Sequence, residues 1–482
     1  MDLKELLFNE TTKTRTENNA LAYSTTKSAV LDLFGIGGAG RNLEESLVYQ
    51  KISQALAEDK ELAIRCLLFL GDIRCGQGER RLFKIGLQVL ADILPKPVVE
   101  RVLDNVPNFT RWDYLLDFLT HKTYDKYVLE MIKNEWLKDT PSLLYKWLPK
   151  PHTHGKKKPE AKIIYSYLGI DEKVYRQKLS RMRSEINLVE KDMSNREWGK
   201  IDYSHVPSKA SLIYKGAFAK HDEQRYADFI ESVNKGEAKI NASTLYPHEI
   251  AFQAFSSKNE TLEALWKSLP NFVKDEGKII LPMVDVSGSM YQNISPSSSV
   301  QAIHVSIGLG LYLAERLTGL FKDTYLSFSE RPVLVKAHGN SLYQKLVNVS
   351  HEHMGYNTNV IAAFDVILKM AVDNRLKQNE IPNTIVVFSD MEFDEATGDR
   401  NKTPFDFIKQ RYNENGYELP QVVFWNLNAR NVQFPVRQDQ RGVILVSGYS
   451  PSTLQYVLGG ELKTPYELMV EVLQNTRYSI FE

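Results

Sequence analysis

The sequence predicts an α-helical, repeat-like N-terminal part (a solenoid or ring) joined to a C-terminal doubly wound α/β domain. Three observations predict this multidomain class. Before Lys278, apolar residues recur three and four apart, in runs separated by short polar or proline breaks. After Lys278, short apolar strand patterns alternate with helical ones, the signature of a mostly parallel sheet. The chain has 482 residues, more than one hydrophobic core usually supports.

Residues 1–42 read as a polar, Thr/Asn-rich extension that ends in the glycine cluster SAVLDLFGIGGAGRN. Residues 43–270 read as the helical domain, with runs such as LVYQKISQALAEDKELAIRCLLFLGDI, RRLFKIGLQVLADIL and RWDYLLDFL. The breaks GQGER, LPKP and VPNFT are plausible helix stops and starts. No β-periodicity is visible before Lys278, and no fixed-period repeat is defensible. Residues 278–482 read as strand KIILPMVDVS, a helix to about Phe321, one or two strands in TYLSFSERPVLVKA, and a helix through TNVIAAFDVILKMAVDNRL. Strand NTIVVFSDM, helix PFDFIKQRYNENG, strands PQVVFWNLN and GVILVSGYS, and a closing helix TPYELMVEVLQNTRY follow.

Composition narrows the function classes. Hydrophobic residues at 43% and charged residues at 25% are ordinary for a folded globular chain. Cys66 and Cys75 form no CxxC pair, which argues against a disulfide framework or a zinc ribbon. With no signal-peptide core and no run of ~18 apolar residues, a cytoplasmic protein without a membrane partner is expected. Net charge is zero, yet residues 146–183 carry 11 basic residues against 3 acidic ones.

The sharpest chemistry lies where ligands of doubly wound sheets sit, at the carboxyl ends of strands. Asp285-Val286-Ser287-Gly288-Ser289 leaves the first strand, and alternate residues there can turn their oxygens toward one point. Thr358 precedes a helix and Asp390 ends another strand. Mg²⁺ (or Mn²⁺) keeps several waters and needs only a few protein oxygens, so hydroxyls and carboxylates of this kind suffice. An ordinary strand-to-helix turn with Ser287 or Ser289 as N-cap would explain the first motif, but not Asp390 at a second strand end.

DVSGSM, Thr358 and VVFSD together resemble the metal-ion-dependent adhesion site of von Willebrand factor A domains. The resemblance implies that Ser287, Ser289 and Thr358 coordinate directly, and that Asp285 and Asp390 act directly or through water. One coordination position would stay open for an oxygen of a partner, such as a protein carboxylate. LDLFGIGGAG, GDIRCGQGERRLF, RWDYLLDF, LLYKWLPK and VPSKASLIYKGAFAKHD are similar to a bacterial, viral and plant family long catalogued as of unknown function. That family pairs a helical domain with a C-terminal von Willebrand A domain. It is similar in turn to the TROVE architecture of Ro ribonucleoprotein, which implies binding of structured or single-stranded RNA ends. An intact metal site is not what defines Ro proteins, so here it implies an additional role.

Candidate RNA contacts are Arg74, Arg80 and Arg81 around the GDIRCGQGERR turn, Arg111, and Lys156, Lys157, Lys158, Arg176, Arg181 and Arg183 in the basic stretch. Guanidinium groups can grip phosphate bidentately, and Trp147, Tyr165, Tyr167 and Tyr175 interleave rings able to stack on bases. A solvated charge run and an ordinary inter-helix turn are the bland alternatives. Gly35–Gly40 superficially echoes a phosphate loop, but a tight helix-approach loop suits it better. His152-x-His154 and His351-x-His353 lack a third metal ligand nearby. No Walker A, nucleophile–base set or carboxylate pair suggests catalysis, so no enzyme is expected. RNA binding by a helical scaffold is the first functional expectation, and metal-dependent protein adhesion the alternative.

Overall fold

The computed structural model describes residues 10–153, 156–186, 188–275, 277–351, 357–395, 401–458 and 462–481. The chain forms two compact units whose boundaries cut across its linear order. The first comprises Met1–Gly71, Cys75–Gly86 and Ala242–Tyr478; the second comprises Asp72–Arg74, Leu87–Asn241 and Ser479–Glu482. Residues 10–42 thus belong with the sheet, and the segment 43–270 is shared between the units.

Ten short and long strands are labelled in chain order among the described residues: β1 Lys13–Arg15, β2 Leu21–Tyr23, β3 His152–Thr153, β4 Lys156–Lys157, β5 Ile280–Asp285, β6 Thr324–Phe328, β7 Val333–Lys336, β8 Thr384–Ser389, β9 Gln421–Asn426 and β10 Val443–Ser447. The last six form one sheet in the order β10-β9-β8-β5-β6-β7. All its pairings are parallel except β6–β7. β5, β8, β9 and β10 are buried along their whole length, which accounts for their continuous apolar sequences. Only β7, at the edge, alternates between covered and exposed residues. The chain starts in the middle with β5, goes out to β6, then returns to β8 on the other side. That reversal puts a crevice at the carboxyl ends of β5 and β8.

Helices cover this sheet. Ala302–Arg316 packs on β5, β6 and β8, and Val360–Asp373 on β6. Ala29–Gly37 and Pro465–Leu473 pack on β10. Pro247–Ala254 lies against Ala302–Arg316, and the indole of Trp266 on Glu260–Lys267 donates to Glu315 at 2.6 Å. The N-terminal segment is thus integral to the α/β unit.

Before Lys278 the structure contains β-structure that periodicity did not reveal. β1 and β2 pair antiparallel, and Tyr23 exchanges two backbone hydrogen bonds with Phe434 at 2.9 and 2.8 Å. Strands of three residues are too short to display a period of two, and the bridge from Tyr23 to Phe434 joins residues far apart in sequence. RWDYLLDF forms a 3₁₀ segment, Trp112–Phe118, in place of an α-helix.

The glycine cluster has a packing role. Gly35 and Gly37 lie inside the helix Ala29–Gly37, whose first turn is capped by the Ser28 hydroxyl. A Cβ on Gly38 would stand 2.7 Å from the carbonyl oxygen of Ser447 and 2.8 Å from Gly448 Cα, so the helix end lies directly on the end of β10. The Ser447 hydroxyl fastens the approach, accepting from Gly38 N–H and donating to Phe34 O, both at 3.0 Å.

In the second unit the core is aromatic. Trp136 stacks on Tyr175 at 5.4 Å and packs on Tyr145, while Tyr203, Phe218 and Tyr226 form a second group. Among the described residues no helix is long and apolar enough to cross a membrane.

Gly38→Ala should therefore destabilise the protein by roughly 1–3 kcal/mol, because backbone must shift to admit the methyl group. Gly199→Ala, where a Cβ meets nothing within 4 Å, is the control that should leave denaturant unfolding nearly unchanged.

Candidate metal centre and nucleic-acid surface

β5 delivers Asp285 and β8 delivers Ser389 and Asp390 to the same end of the sheet because the two strands run parallel in fixed register. Asp285 is fully buried; its Oδ1 accepts the Ser287 N–H at 2.9 Å and its Oδ2 accepts the Ser389 hydroxyl at 2.5 Å. The hydroxyls of Ser287 and Ser289 lie 3.1 Å apart, and Ser289 also hydrogen-bonds to the Asp390 carboxylate. Thr358, likewise buried, donates its N–H to Asp394 Oδ1 at 3.1 Å and accepts the Asp394 N–H at its carbonyl at 3.0 Å. Met391 follows Asp390 with φ of 65°, a left-handed conformation that costs energy for a non-glycine residue. The Asp285, Ser287, Ser289 and Asp390 side chains are joined by these contacts, and Thr358 is held to the loop that follows Asp390 through Asp394.

The electrostatics are adverse without a cation. Burial, and then the charge of Asp390, push the Asp285 carboxyl well above the usual carboxylate range. Burial also raises Asp390, against the pull of Arg430. Glu392 and Asp394 are raised by burial as well. Arg430, donating to Asp390 Oδ2 at 3.0 Å, is the guanidinium that faces this group. The surplus negative charge and the cluster of hydroxyl oxygens fit a hard divalent cation. Ser287, Ser289 and Thr358 would hold it by their hydroxyls, with Asp285 and Asp390 supplying the charge. Such a cation would act as a Lewis acid toward an incoming oxygen ligand. Among the described residues no group of three or more His, Cys, Asp or Glu side chains forms a metal cluster. The five-residue set differs in kind, with two carboxylates and three hydroxyls.

Sequence reasoning missed Arg430, Glu392 and the N-terminal residues around this centre. Glu17 Oε2 pairs with Arg430 at 2.8 Å, and Asn18 Nδ2 donates to Glu392 O at 2.7 Å and to Thr358 Oγ1 at 3.4 Å. Nothing in the local sequence of ETTKTRTENN marks those residues, since the hairpin that places them is set by distant pairing.

The candidate RNA residues are placed diversely. Arg176, Arg181 and Arg183 line an open hollow of about 1520 Å³ in the second unit, together with Lys146, Lys150, Lys173 and Lys191. Glu190 is the acidic residue of its wall. Lys150, Lys173 and Arg176 are exposed; Arg176 lies 3.9 Å from the Glu172 carboxylate and Arg181 pairs with Asp139 at 2.6 Å. Arg183 donates to the carbonyls of Tyr145 and Leu148, both at 2.7 Å, so it also braces the wall. Arg111 pairs with Asp113 and lies 3.9 Å over the Trp147 ring. Lys158 is exposed; Lys156 and Lys157 pair with β3 through backbone, and their side chains lie outside the described residues. His154 and His353 also lie outside them.

The arginines of the GDIRCGQGERR turn are divided, Arg74 in the second unit and Arg80 and Arg81 in the first. Arg74 donates to Asn108 O at 2.8 Å. Arg80 is exposed, and Arg81 has a buried Nη1. The turn itself is built for packing: Gln77 and Glu79 are buried and donate their N–H groups to Phe69 and Leu70, and Glu79 pairs with Arg41, which lies over Tyr449. Of the interleaved rings, Tyr175 is core, fully buried with its hydroxyl donated to Pro149 O at 3.1 Å. Tyr167 is partly exposed and donates to Glu130.

Family comparison gives matches over two segments. Residues 280–477 match a domain of unknown function (DUF7788), and residues 151–279 match another (DUF2828). The chain is 27% identical over 506 residues to uncharacterized protein L728 of Acanthamoeba polyphaga mimivirus, covering 95% of this chain and 87% of that protein. The crystal structure of the Deinococcus radiodurans RO (RSR) protein aligns over 84% of this chain and 92% of its own, with a TM-score of 0.47 and 13% identity.

A carboxyl held above its usual range favours protonation in the folded state, so its contribution to stability is lost as pH rises toward neutrality. In chelator, Asp285→Asn should therefore melt higher than wild type at pH 7.5, by on the order of 2–4 °C. The gap should narrow at pH 5. Equal melting differences at both pH values would refute the strained carboxylate pair.

Proposed function

We propose that the protein binds RNA, taking single-stranded or frayed structured RNA along the basic hollow of its second unit. The carrying observation is the convergence of Lys146, Lys150, Lys173, Arg176, Arg181 and Arg183 around one open hollow, with Glu190 the one acidic residue in its wall among the described residues. Phosphate neutralisation and counterion release dominate nucleic-acid affinity, and a concave cationic wall tracks a flexible backbone better than a rigid duplex. Tyr175 does not stack on a base in this reading; base contacts fall to exposed rings or are few, so sequence preference is weak. The role is one of binding, not catalysis.

In this reading the first unit is a von Willebrand A-type domain that holds Mg²⁺ or Mn²⁺ at Asp285, Ser287, Ser289, Thr358 and Asp390. The buried, mutually repelling carboxylates support it. A second reading rests on that same centre: the cation's open position captures a carboxylate from a protein partner, and RNA plays no part.

The hollow is tested with Lys150→Ala, Lys173→Ala and Arg176→Ala combined, all exposed side chains. Fluorescence anisotropy should show weaker binding to every single-stranded RNA, with the slope of log affinity against log salt reduced by up to about 2. An unchanged slope, or no salt-dependent binding by nuclease-treated wild type, would overturn the RNA reading and leave the adhesion reading ahead.

The metal centre is tested by calorimetry and thermal melts. Wild type should be stabilised by roughly 2.7 kcal/mol at a hundredfold excess of Mn²⁺ over Kd, and Asp390→Ala should lose both heat and stabilisation. Equal affinity in the two proteins would eliminate the site.

A further inference from the structure

Several hydrogen bonds fix the N-terminal turn to the loop that follows β8, the Asn18 Nδ2–Glu392 O bond at 2.7 Å among them. The Thr16 hydroxyl donates to Phe393 O at 2.7 Å, and Glu17 N–H to Glu392 Oε2 at 2.7 Å. Glu395 N–H donates to Asn18 O at 3.2 Å, and Asn19 Nδ2 to Glu395 Oε2 at 2.9 Å. A hairpin that merely closed the edge of the unit would need no more than these. Two further contacts reach the candidate metal ligands themselves.

Asn18 Nδ2 lies 3.4 Å from Thr358 Oγ1. A hydroxyl oxygen has two lone pairs, so an amide donor on one leaves the other to face a cation and fixes the rotamer that aims it there. Arg430 is shared: one Nη pairs with Asp390 Oδ2 at 3.0 Å and the other with Glu17 Oε2 at 2.8 Å. Its Nε is buried without a hydrogen-bond partner, so the guanidinium is held by its two ends. Asn431 Nδ2 secures the arrangement by donating to both Glu17 Oε1 and Glu392 Oε1, at 3.3 and 3.0 Å. Glu17 thereby offsets the positive charge that would otherwise be spent entirely on Asp390.

We propose that the turn Thr16–Asn19 is a working part of the metal centre: Asn18 steadies the Thr358 hydroxyl, and Glu17 draws the charge of Arg430 away from Asp390. This rests on the metal reading above and adds to it the residues that set affinity. Docking of the hairpin and cation binding are then coupled, and coupling is reciprocal. The cation tightens the hairpin, and anything that detaches the hairpin weakens the cation.

The test is Mn²⁺ titration calorimetry on the full chain, with hydrogen exchange read over residues 12–24. Glu17 and Asn18 are at the surface, so folding should survive their substitution, and thermal melts in chelator check all three variants, the largely buried Arg430 included. Asn18→Ala should bind Mn²⁺ roughly tenfold more weakly, the usual cost of removing a group that orients a metal ligand. Glu17→Gln should weaken binding in the same direction, because Arg430 then neutralises Asp390, whereas Arg430→Gln should strengthen it. In wild type, Mn²⁺ should slow exchange over residues 12–24, and in Asn18→Ala it should do so much less. Wild-type affinity in both Asn18→Ala and Glu17→Gln, with exchange unaffected by Mn²⁺, would overturn the coupling while leaving the metal centre standing. No Mn²⁺ binding by wild type would overturn the metal reading and the coupling together.

Discussion

Asp285 and Asp390 are forced together by the sheet. β5 and β8 are adjacent and parallel, their register is fixed by five residue pairings, and their ends carry one carboxylate each into a buried crevice. Two carboxylates that cannot reach water repel each other and resist ionisation. The surrounding structure reads as a response to that constraint. Ser287 N–H and the Ser389 hydroxyl donate to Asp285, while Arg430 and Glu392 N–H donate to Asp390. The Met391 backbone is held in a left-handed conformation that stays put only because its neighbours over-determine it.

The N-terminal segment belongs to the same response. The hairpin of β1 and β2, the glycine-bearing helix Ala29–Gly37 and the turn between the strands are built into the α/β unit through Phe434, Ser447 and the 390–395 loop. Gly38 gives up its side chain so that the helix end can lie on the end of β10. Thr16, Glu17, Asn18 and Asn19 touch the loop that follows Asp390, and Asn18 also touches Thr358.

In the second unit charge and aromatic residues are sorted by burial. Trp136, Tyr145 and Tyr175 pack together inside, while Lys150, Lys173 and Arg176 remain at the surface of the hollow. Arg183 and Arg181 are partly committed to carbonyls and to Asp139, so they shape the wall as much as they charge it. Burying a tyrosine ring leaves no polar group unpaired when its hydroxyl finds a carbonyl, as that of Tyr175 does at Pro149. A lysine head-group must stay wet.

The sequence by itself determined the mostly parallel sheet and which oxygen-bearing residues stand at its carboxyl end. Buried strands are continuous apolar runs, and a motif such as DVSGSM at a strand end announces its own geometry, because alternation along a strand is local. Asp390 was legible for the same reason, as the residue that ends VVFSD. The concentration of basic charge at residues 146–183 was legible too, though not which of its members would face one hollow. Tertiary structure alone decided what depends on residues far apart in sequence. It put Glu17 and Asn18 beside Thr358 and Arg430, divided Arg74 from Arg80 and Arg81, and sent Tyr175 inward. β1 and β2 pair with each other, and Phe434 adds a backbone partner for Tyr23 that no run of three residues announces. Period and composition report what a residue does within its own element; which distant element it meets is settled by packing, and short segments carry no local signal of it.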